Sequence, residues 1–293
     1  MNIVRISDGL GNQMFQYAFA RKVSILTGKK VYLDIRYINN EDMYRMGKRV
    51  HYKGKLKHRK YGLQYFKTSL PVADNKILSR WRYLQQSGYV QRMIYSLSVM
   101  NKWIWAYRNE ELNFDENLTK IKCMMPTYYQ GYFFNLIYFD DIKGTLQQEF
   151  SLKQKIKLPR KLGEIIKYRN TVSIHIRRGD FLRLNRDISD SEYYNKAIEL
   201  VEERIDSPIY LLFTDDIEWV KQNINIHYEN ILISDMGFKD YEEFTIMKHC
   251  RNNIIANSTF SYWAAYLNSN FNKLVICPKN WRSATIPNEW VRI

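Results

Sequence analysis

The chain has 293 residues, 45% of them hydrophobic and 15% aromatic, and a formal charge of +15. That much apolar material excludes global disorder, and the length suits two medium domains. The apolar runs are broken by charge well short of the roughly 18 residues of a membrane span, and Cys123, Cys250 and Cys277 show no CxxC spacing, which argues against a disulfide scaffold or a zinc ribbon.

The opening "NIVRI" reads as a strand, "DGLGNQ" as a glycine turn, and the next residues as a helix with Met14, Phe15, Ala18, Phe19, Val23 and Leu26 on one face. "KKVYLDI" follows as a second strand, so the start is a strand, helix, strand unit that favours a parallel sheet. "MNIVRISDGLGNQ" lacks the basic start, apolar middle and cleavage site of a signal peptide, so the expected location is cytoplasmic. On that ground the formal sequons at Asn117 and Asn257 are discounted.

From Met43 to about Lys167 the pattern loosens. Between Met43 and Asn109 fifteen Lys and Arg face a single acid, Asp74. Val90, Met93, Ile94, Leu97 and Ile104 recur there at helical spacing beside Trp103 and Trp105. A basic helix of this kind suits an anionic membrane surface, and it equally suits a solvated basic face over a core helix. Charge alone carries no sequence readout, so nucleic acid is not an expected partner.

A polar connector, "SLKQKIKLPRKLGEIIKYRN", places the expected domain boundary at 165/166, giving domains 1–165 and 166–293. Regular alternation then begins. "TVSIHI" is a strand, and "SDSEYYNKAIELVEERI" a helix opened by a capping box of Ser189 and Glu192, with Tyr194, Ala197, Ile198, Val201 and Ile205 on its core face. Strands "PIYLLF", "NILIS", "NNIIA" and "KLVIC" alternate with helices "KDYEEFTIMKHC" and "NSTFSYWAAYLN". The expected fold class is α/β, two Rossmann-like domains facing each other across a cleft.

Ligands of open α/β sheets bind beyond the carboxyl ends of strands, and four polar clusters fall at such ends. In "SIHIRRGD" the period of two sets His175 and Arg177 on one face, while Arg178, Gly179 and Asp180 leave the strand. A guanidinium grips phosphate in two places, so adjacent arginines suggest a diphosphate; the competing reading is a structural Arg178–Asp180 ion pair. "ANSTFS" sets Ser258, Thr259 and Ser261 at a helix start, where free amides favour an anion, although capping alone explains one hydroxyl. "FTDD" offers Asp215 and Asp216 as acceptors for the guanine edge, with one expected to act as an N-cap. "GLGNQM" fails as a dinucleotide fingerprint and reads as a tight turn through Gly11 that presents Asn12 and Gln13.

With "GLGNQMFQYAFAR", "HIRRGDF", "FTDD" and "IIANSTFSYWAAYL" in this order, the chain resembles the GDP-fucose-dependent α-1,2-fucosyltransferases of glycosyltransferase family 11 over almost its whole length. Two departures stand out: Asp8, where the family often has glycine, and Tyr262 in place of the first tryptophan of the usual "FSWW". The resemblance implies a GT-B fold and inverting, metal-independent transfer of L-fucose to the 2-hydroxyl of a galactoside, in surface polysaccharide or O-antigen synthesis. It implies no cofactor; GDP-fucose is the donor, and a galactose-containing glycan, lipid-linked or free, is the acceptor. By resemblance Arg177 stabilises departing GDP, His175 and Arg178 contact the nucleotide, and Asp215 or Asp216 meets guanine. Asn257, Ser258, Thr259, Phe260 and Ser261 line the phosphates, while Asn12 and Gln13 face the reacting sugar. The general base is unassigned, with Asp8 and Asp180 as candidates. Two other readings remain: a transferase of the same fold using another GDP-sugar, and a non-catalytic basic module for nucleic acid or anionic polysaccharide.

Overall fold

The computed structural model describes residues 1–36, 38, 44–45, 48–49, 59–79, 106–110, 126–179, 190–281 and 285–293, with backbone alone at 44–45, 48–49 and 106–110. The basic helix expected between Val90 and Ile104 lies outside these residues, as do Ser189 and Asp180. The chain forms two compact units, Met1–Phe150 and Ser151–Ile293. The expected boundary at 165/166 falls inside a helix, Arg160–Tyr168, whose Leu162 and Ile165 are buried. Correcting it to 150/151 puts the whole connector with the second unit, because a helix cannot be divided without exposing its apolar face.

In the first unit, β1 (Asn2–Arg5), α1 (Leu10–Thr27) and β2 (Val31–Asp34) form the expected crossover, with β1 and β2 parallel. A short hairpin of β3 (Tyr44–Arg45) and β4 (Lys48–Arg49), the helix α2 (Asn75–Ser79), the strands β5 (Ala106–Glu110) and β6 (Thr127–Gly131), and the helix α3 (Lys143–Glu149) follow. The four-stranded sheet has the order β2-β1-β6-β5, so strand order reverses between β1 and β6. Met14, Phe15, Ala18, Phe19 and Val23 are buried as expected. Leu26 is not: with Ile25 it is about 45% exposed, because the last helical turn leaves the core before Gly28 closes it in a left-handed conformation.

Two non-glycine residues with positive φ follow the ends of the central strands, Asp8 (φ 65) after β1 and Phe133 (φ 57) after β6. Such backbone costs on the order of 1–3 kcal/mol for a residue with a Cβ. At Phe133 burial and flat stacking on Phe19, centroids 3.8 Å apart, offset the cost. Asp8 has no packing of that kind. Glycine fits this backbone freely, and among the other residues Asp and Asn tolerate it best.

The second unit contains α4 (Arg160–Tyr168), β7 (Thr171–Ile176), α5 (Ser191–Arg204), β8 (Ile209–Thr214), α6 (Ile217–Asn223), β9 (Asn230–Leu232), α7 (Asp240–His249), β10 (Asn252–Ile254), α8 (Thr259–Leu267), β11 (Val275–Cys277) and β12 (Val291–Arg292). Its six parallel strands have the order β12-β11-β10-β7-β8-β9. The chain builds outward from β7 through β8 to β9, then returns to the other side of β7 with β10, so this order reverses between β7 and β10. Val172, Ile174 and Ile176 share a core with Tyr194, Ala197, Ile198 and Val201 of α5. Ser173 and His175 point to the opposite face, where they bond Asn253 and Ser261. The N-cap of α5 is Asp190, which accepts from Tyr193 N at 2.9 Å; this corrects the expected Ser189 capping box.

Candidate active site

The side chains brought together at the reversal of the second sheet come from three strand ends. Register pairs Ile176 with Thr214, so the turn after β7 lies beside the turn after β8. Asp215 exploits this proximity. Its Oδ1 accepts from Arg178 N at 2.9 Å and from Gly179 N at 3.3 Å, while its Oδ2 holds Arg177 Nη1 at 2.9 Å. One carboxylate therefore fixes the arginine turn and aims its first guanidinium. Gly179 is required by close approach, since a Cβ there would lie 2.8 Å from Asp215 Oδ2.

Arg178 lies over the Trp219 ring at 3.9 Å, with its Nε 3.5 Å from Asp216 Oδ2. The stacking and the ion pair suit guanidinium and would not transfer to lysine. Asp216 is the N-cap of α6, accepting from Trp219 N at 3.2 Å. Both aspartates of "TDD" are thus engaged with the chain itself. The Arg178–Asp180 pair lies outside the described residues.

His175 is buried, with Nδ1 2.9 Å from Ser261 Oγ and its ring 5.5 Å from that of Phe260. Ser261 Oγ also lies 3.3 Å from Ser258 O, which can only accept, so the hydroxyl proton goes there and the imidazole donates from Nδ1. This assignment leaves Nε2 as an acceptor. Burial, and secondarily the charge of Arg177, lowers the His175 pKa to about 3 against an opposing pull from Asp215. The ring is neutral at physiological pH.

A stability prediction follows from that neutrality. The unfolded chain binds a proton at His175 below about pH 6.5 and the folded chain only near pH 3, so this contribution is complete above pH 6.5 and is lost as pH falls toward 3. Its steepest slope is about 1.4 kcal/mol per pH unit. Urea unfolding at pH 7 and pH 5 should show a smaller pH effect in His175→Gln than in the wild type; equal effects would contradict a buried neutral ring.

At the start of α8, Ser258 is the N-cap, its Oγ accepting from Phe260 N at 3.4 Å. Ser261 is buried against His175, and Thr259 and Phe260 are partly exposed. Asn257 lies just before the cap, its Oδ1 buried without a hydrogen-bond partner among the described residues. The amides of this helical turn lie at the carboxyl end of β10, next to that of β7. The departure at Tyr262 is accommodated, since its buried hydroxyl donates to Thr285 O at 2.9 Å.

In the first unit the expected presentation of Gln13 is corrected. It is fully buried, donates from Nε2 to Asp8 O and Lys60 O at 2.8 Å each, and accepts from Gly62 N at 2.9 Å. Its amide is spent on fastening two backbone segments. Gly11 is buried within α1, and the turn itself lies at Asp8 and Gly9. Asn12 is only partly buried. Asp34, at the end of β2, binds Arg36 through both oxygens at 2.9 and 2.7 Å and accepts from Tyr128 at 2.8 Å.

Sequence reasoning missed Tyr194, whose hydroxyl donates to His175 O at 3.1 Å, and Trp219, the platform for Arg178. Tyr194 reads only as a core residue. Trp219 carries a usable signal, standing three residues after the capping Asp216. Among the described residues no group of three His, Cys, Asp or Glu side chains is arranged to hold a metal ion, and no helix is long and apolar enough to cross a membrane.

A sheet-end site with two clamped arginines and a helix start is the apparatus of an α/β protein that handles phosphorylated ligands. The model of the glycosyl transferase family 11 matches residues 1–291, and the chain belongs to that family. It is 26% identical to an alpha-1,2-colitosyltransferase of Escherichia coli, covering 99% of this chain and 98% of the relative. It is also 26% identical to the O-antigen biosynthesis glycosyltransferase WbnK of Escherichia coli, covering 98% and 99%. Human galactoside alpha-(1,2)-fucosyltransferase 1 matches at 25% over 44% of this chain and 40% of its own. A solved structure of a mutant Arabidopsis thaliana FUT1 in complex with GDP aligns over 94% of this chain and 70% of that one, with a TM-score of 0.50 at 12% identity. The fold is GT-B, and the protein is a glycosyltransferase.

Proposed function

We propose that this enzyme transfers L-fucose from GDP-fucose to the 2-hydroxyl of a galactoside, with inversion, in the assembly of an O-antigen or similar surface glycan. The observation that carries the reading is Arg177, fixed by Asp215 beside a neutral, buried His175 where the second sheet reverses its strand order. The second unit is the donor side and the first the acceptor side. In a single displacement the acceptor oxygen attacks the anomeric carbon, and the bond to the β-phosphate breaks. Charge grows on the departing diphosphate, where a preorganised guanidinium stabilises the transition state more than the ground state. The amides opening α8 serve the same charge. Arginine and helix start together can neutralise a diphosphate without a divalent cation.

Thermal shift with GDP, ADP and UDP in the presence of EDTA tests this. Selective stabilisation by GDP is expected, followed by transfer from GDP-fucose to galactosides with the anomeric outcome read by NMR. No stabilisation by any nucleotide would sink the reading and favour a basic polymer-binding module. The full-length likeness to a colitosyltransferase supports a second donor, a GDP-sugar related to fucose by loss of one hydroxyl. Comparing kcat/KM for GDP-fucose and GDP-colitose decides between them. The basic stretch from Met43 to Asn109 supports a lipid-linked acceptor at the cytoplasmic membrane face, which co-sedimentation with anionic vesicles tests.

A further inference from the structure

By resemblance Ser261 lines the phosphates, yet its side chain is fully buried and bonded to an imidazole. We propose that Ser261 is a positioning residue: it locks His175 in the tautomer whose Nε2 accepts a hydrogen bond from the nucleoside half of the donor. His175 then reads a hydroxyl or N–H group and takes no part in holding the diphosphate. The inference rests on the transferase reading above and lies wholly within the second unit.

Ser261 stands in the first turn of α8, with Oγ 2.9 Å from His175 Nδ1 and 3.3 Å from Ser258 O. A hydroxyl has one proton and a carbonyl has none. Both contacts are therefore satisfied only when Ser261 donates to Ser258 O and accepts from Nδ1–H. In a neutral imidazole the proton on one nitrogen leaves a lone pair on the other. The residue is held from two further sides, since Tyr194 donates to its carbonyl at 3.1 Å and the Phe260 ring packs at 5.5 Å. His175 is only 7% exposed, and among the described residues Nε2 has no hydrogen-bond partner. A buried acceptor is costly to leave unmet, so a donor group of the ligand belongs there.

Phosphate cannot be that group. The diphosphate of a nucleotide sugar is ionised and esterified at both ends, so its oxygens bring no proton and would set lone pair against lone pair. The sugar end has to stay open to the acceptor, while His175 lies inside β7, two residues back from Arg177. The proton-bearing groups that remain are the ribose hydroxyls and the N1–H and 2-amino group of guanine.

Nitrogen NMR of the full-length wild type at pH 7, with the His175 signals assigned by their loss in His175→Gln, should show the proton on Nδ1. Saturating GDP should shift the Nε2 resonance and inorganic pyrophosphate should leave it in place. A proton on Nε2, or an Nε2 signal unmoved by GDP, would overturn the proposal. Ser261→Ala should weaken GMP and GDP binding by the same factor, about tenfold, and raise the donor KM with kcat little changed. A loss with GDP that is absent with GMP would make Ser261 a phosphate ligand and overturn the proposal, as would no loss with either. The contacted group is read from 2′-deoxy-GDP and 3′-deoxy-GDP on one side and inosine diphosphate and 1-methyl-GDP on the other. One of these pairs should bind more weakly than GDP to the wild type and lose that penalty in Ser261→Ala, which a merely structural serine would not alter. Penalties that are the same in both proteins would overturn the proposal while leaving the transferase reading intact. A wild type that binds no guanine nucleotide would overturn that reading, and this inference with it.

Discussion

Arg177→Ala should lower kcat/KM by about 10³-fold, roughly 4 kcal/mol of transition-state stabilisation, in a protein that still folds. The two parts of that expectation have separate physical causes. On the proposed mechanism this guanidinium is the charge aimed at the leaving diphosphate, and its neighbour Arg178 is held over Trp219 beside Asp216. Asp215 keeps its bonds to Arg178 N and Gly179 N when Arg177 is removed, so the turn survives. The stability cost should stay near 1 kcal/mol, because both partners of the pair are partly solvated. Arg177→Lys retains the charge without the fork and should lose about 10²-fold. The alanine variant also removes the charge that helps keep His175 neutral, so the histidine should titrate at higher pH than in the wild type. Steady-state kinetics and a urea midpoint measured on the same preparation check these expectations; wild-type activity in the alanine variant would dissolve the site assignment.

Asp215→Ala is expected to do comparable damage by a different route. It frees Arg177 from its fixed position and takes the acceptor from two backbone amides at once. The amides lie near the surface and can bond water, which limits the stability loss to about 1–2 kcal/mol. The functional loss should be larger, about 10²-fold in kcat/KM, with weaker GDP binding, because a mobile guanidinium must be ordered during the reaction. Asp215→Asn keeps an acceptor for the amides and loses the ion pair, so it should preserve most stability and little activity. Gly179→Ala should fall in the same direction, since the carboxylate that a new Cβ would strike is held by three bonds. If Asp215→Ala retains wild-type turnover, Arg177 is aimed by something other than this clamp.

Much of the scaffold was legible in the sequence because its signals are local. Alternation along "TVSIHI" places Ile174 and Ile176 toward α5 and His175 toward the other face, and the structure agrees. A strand's period of two is a property of the chain itself and needs no knowledge of neighbours. The same holds for a capping aspartate in "TDD", which the structure identifies as Asp216, and for the apolar face of α1 as far as Val23. The α1 prediction failed at Leu26, where the core ends and periodicity continues.

Partner choice belongs to the tertiary structure. Asp180 lies outside the described residues; within them Asp215 and Asp216, nearly forty residues on, are acids found with Arg177 and Arg178. They arrive because β7 and β8 are parallel neighbours and parallel strands put their carboxyl ends side by side. Gln13 and Asn12 are consecutive polar residues in sequence, and only the packing of α1 turns the first inward to the backbone and leaves the second partly exposed. The strain at Asp8 and the neutrality of His175 likewise arise from surroundings assembled by distant segments. The sequence by itself determined which residues were available at the strand ends; the order of the strands decided which charges meet, because electrostatic pairing depends on distance in space.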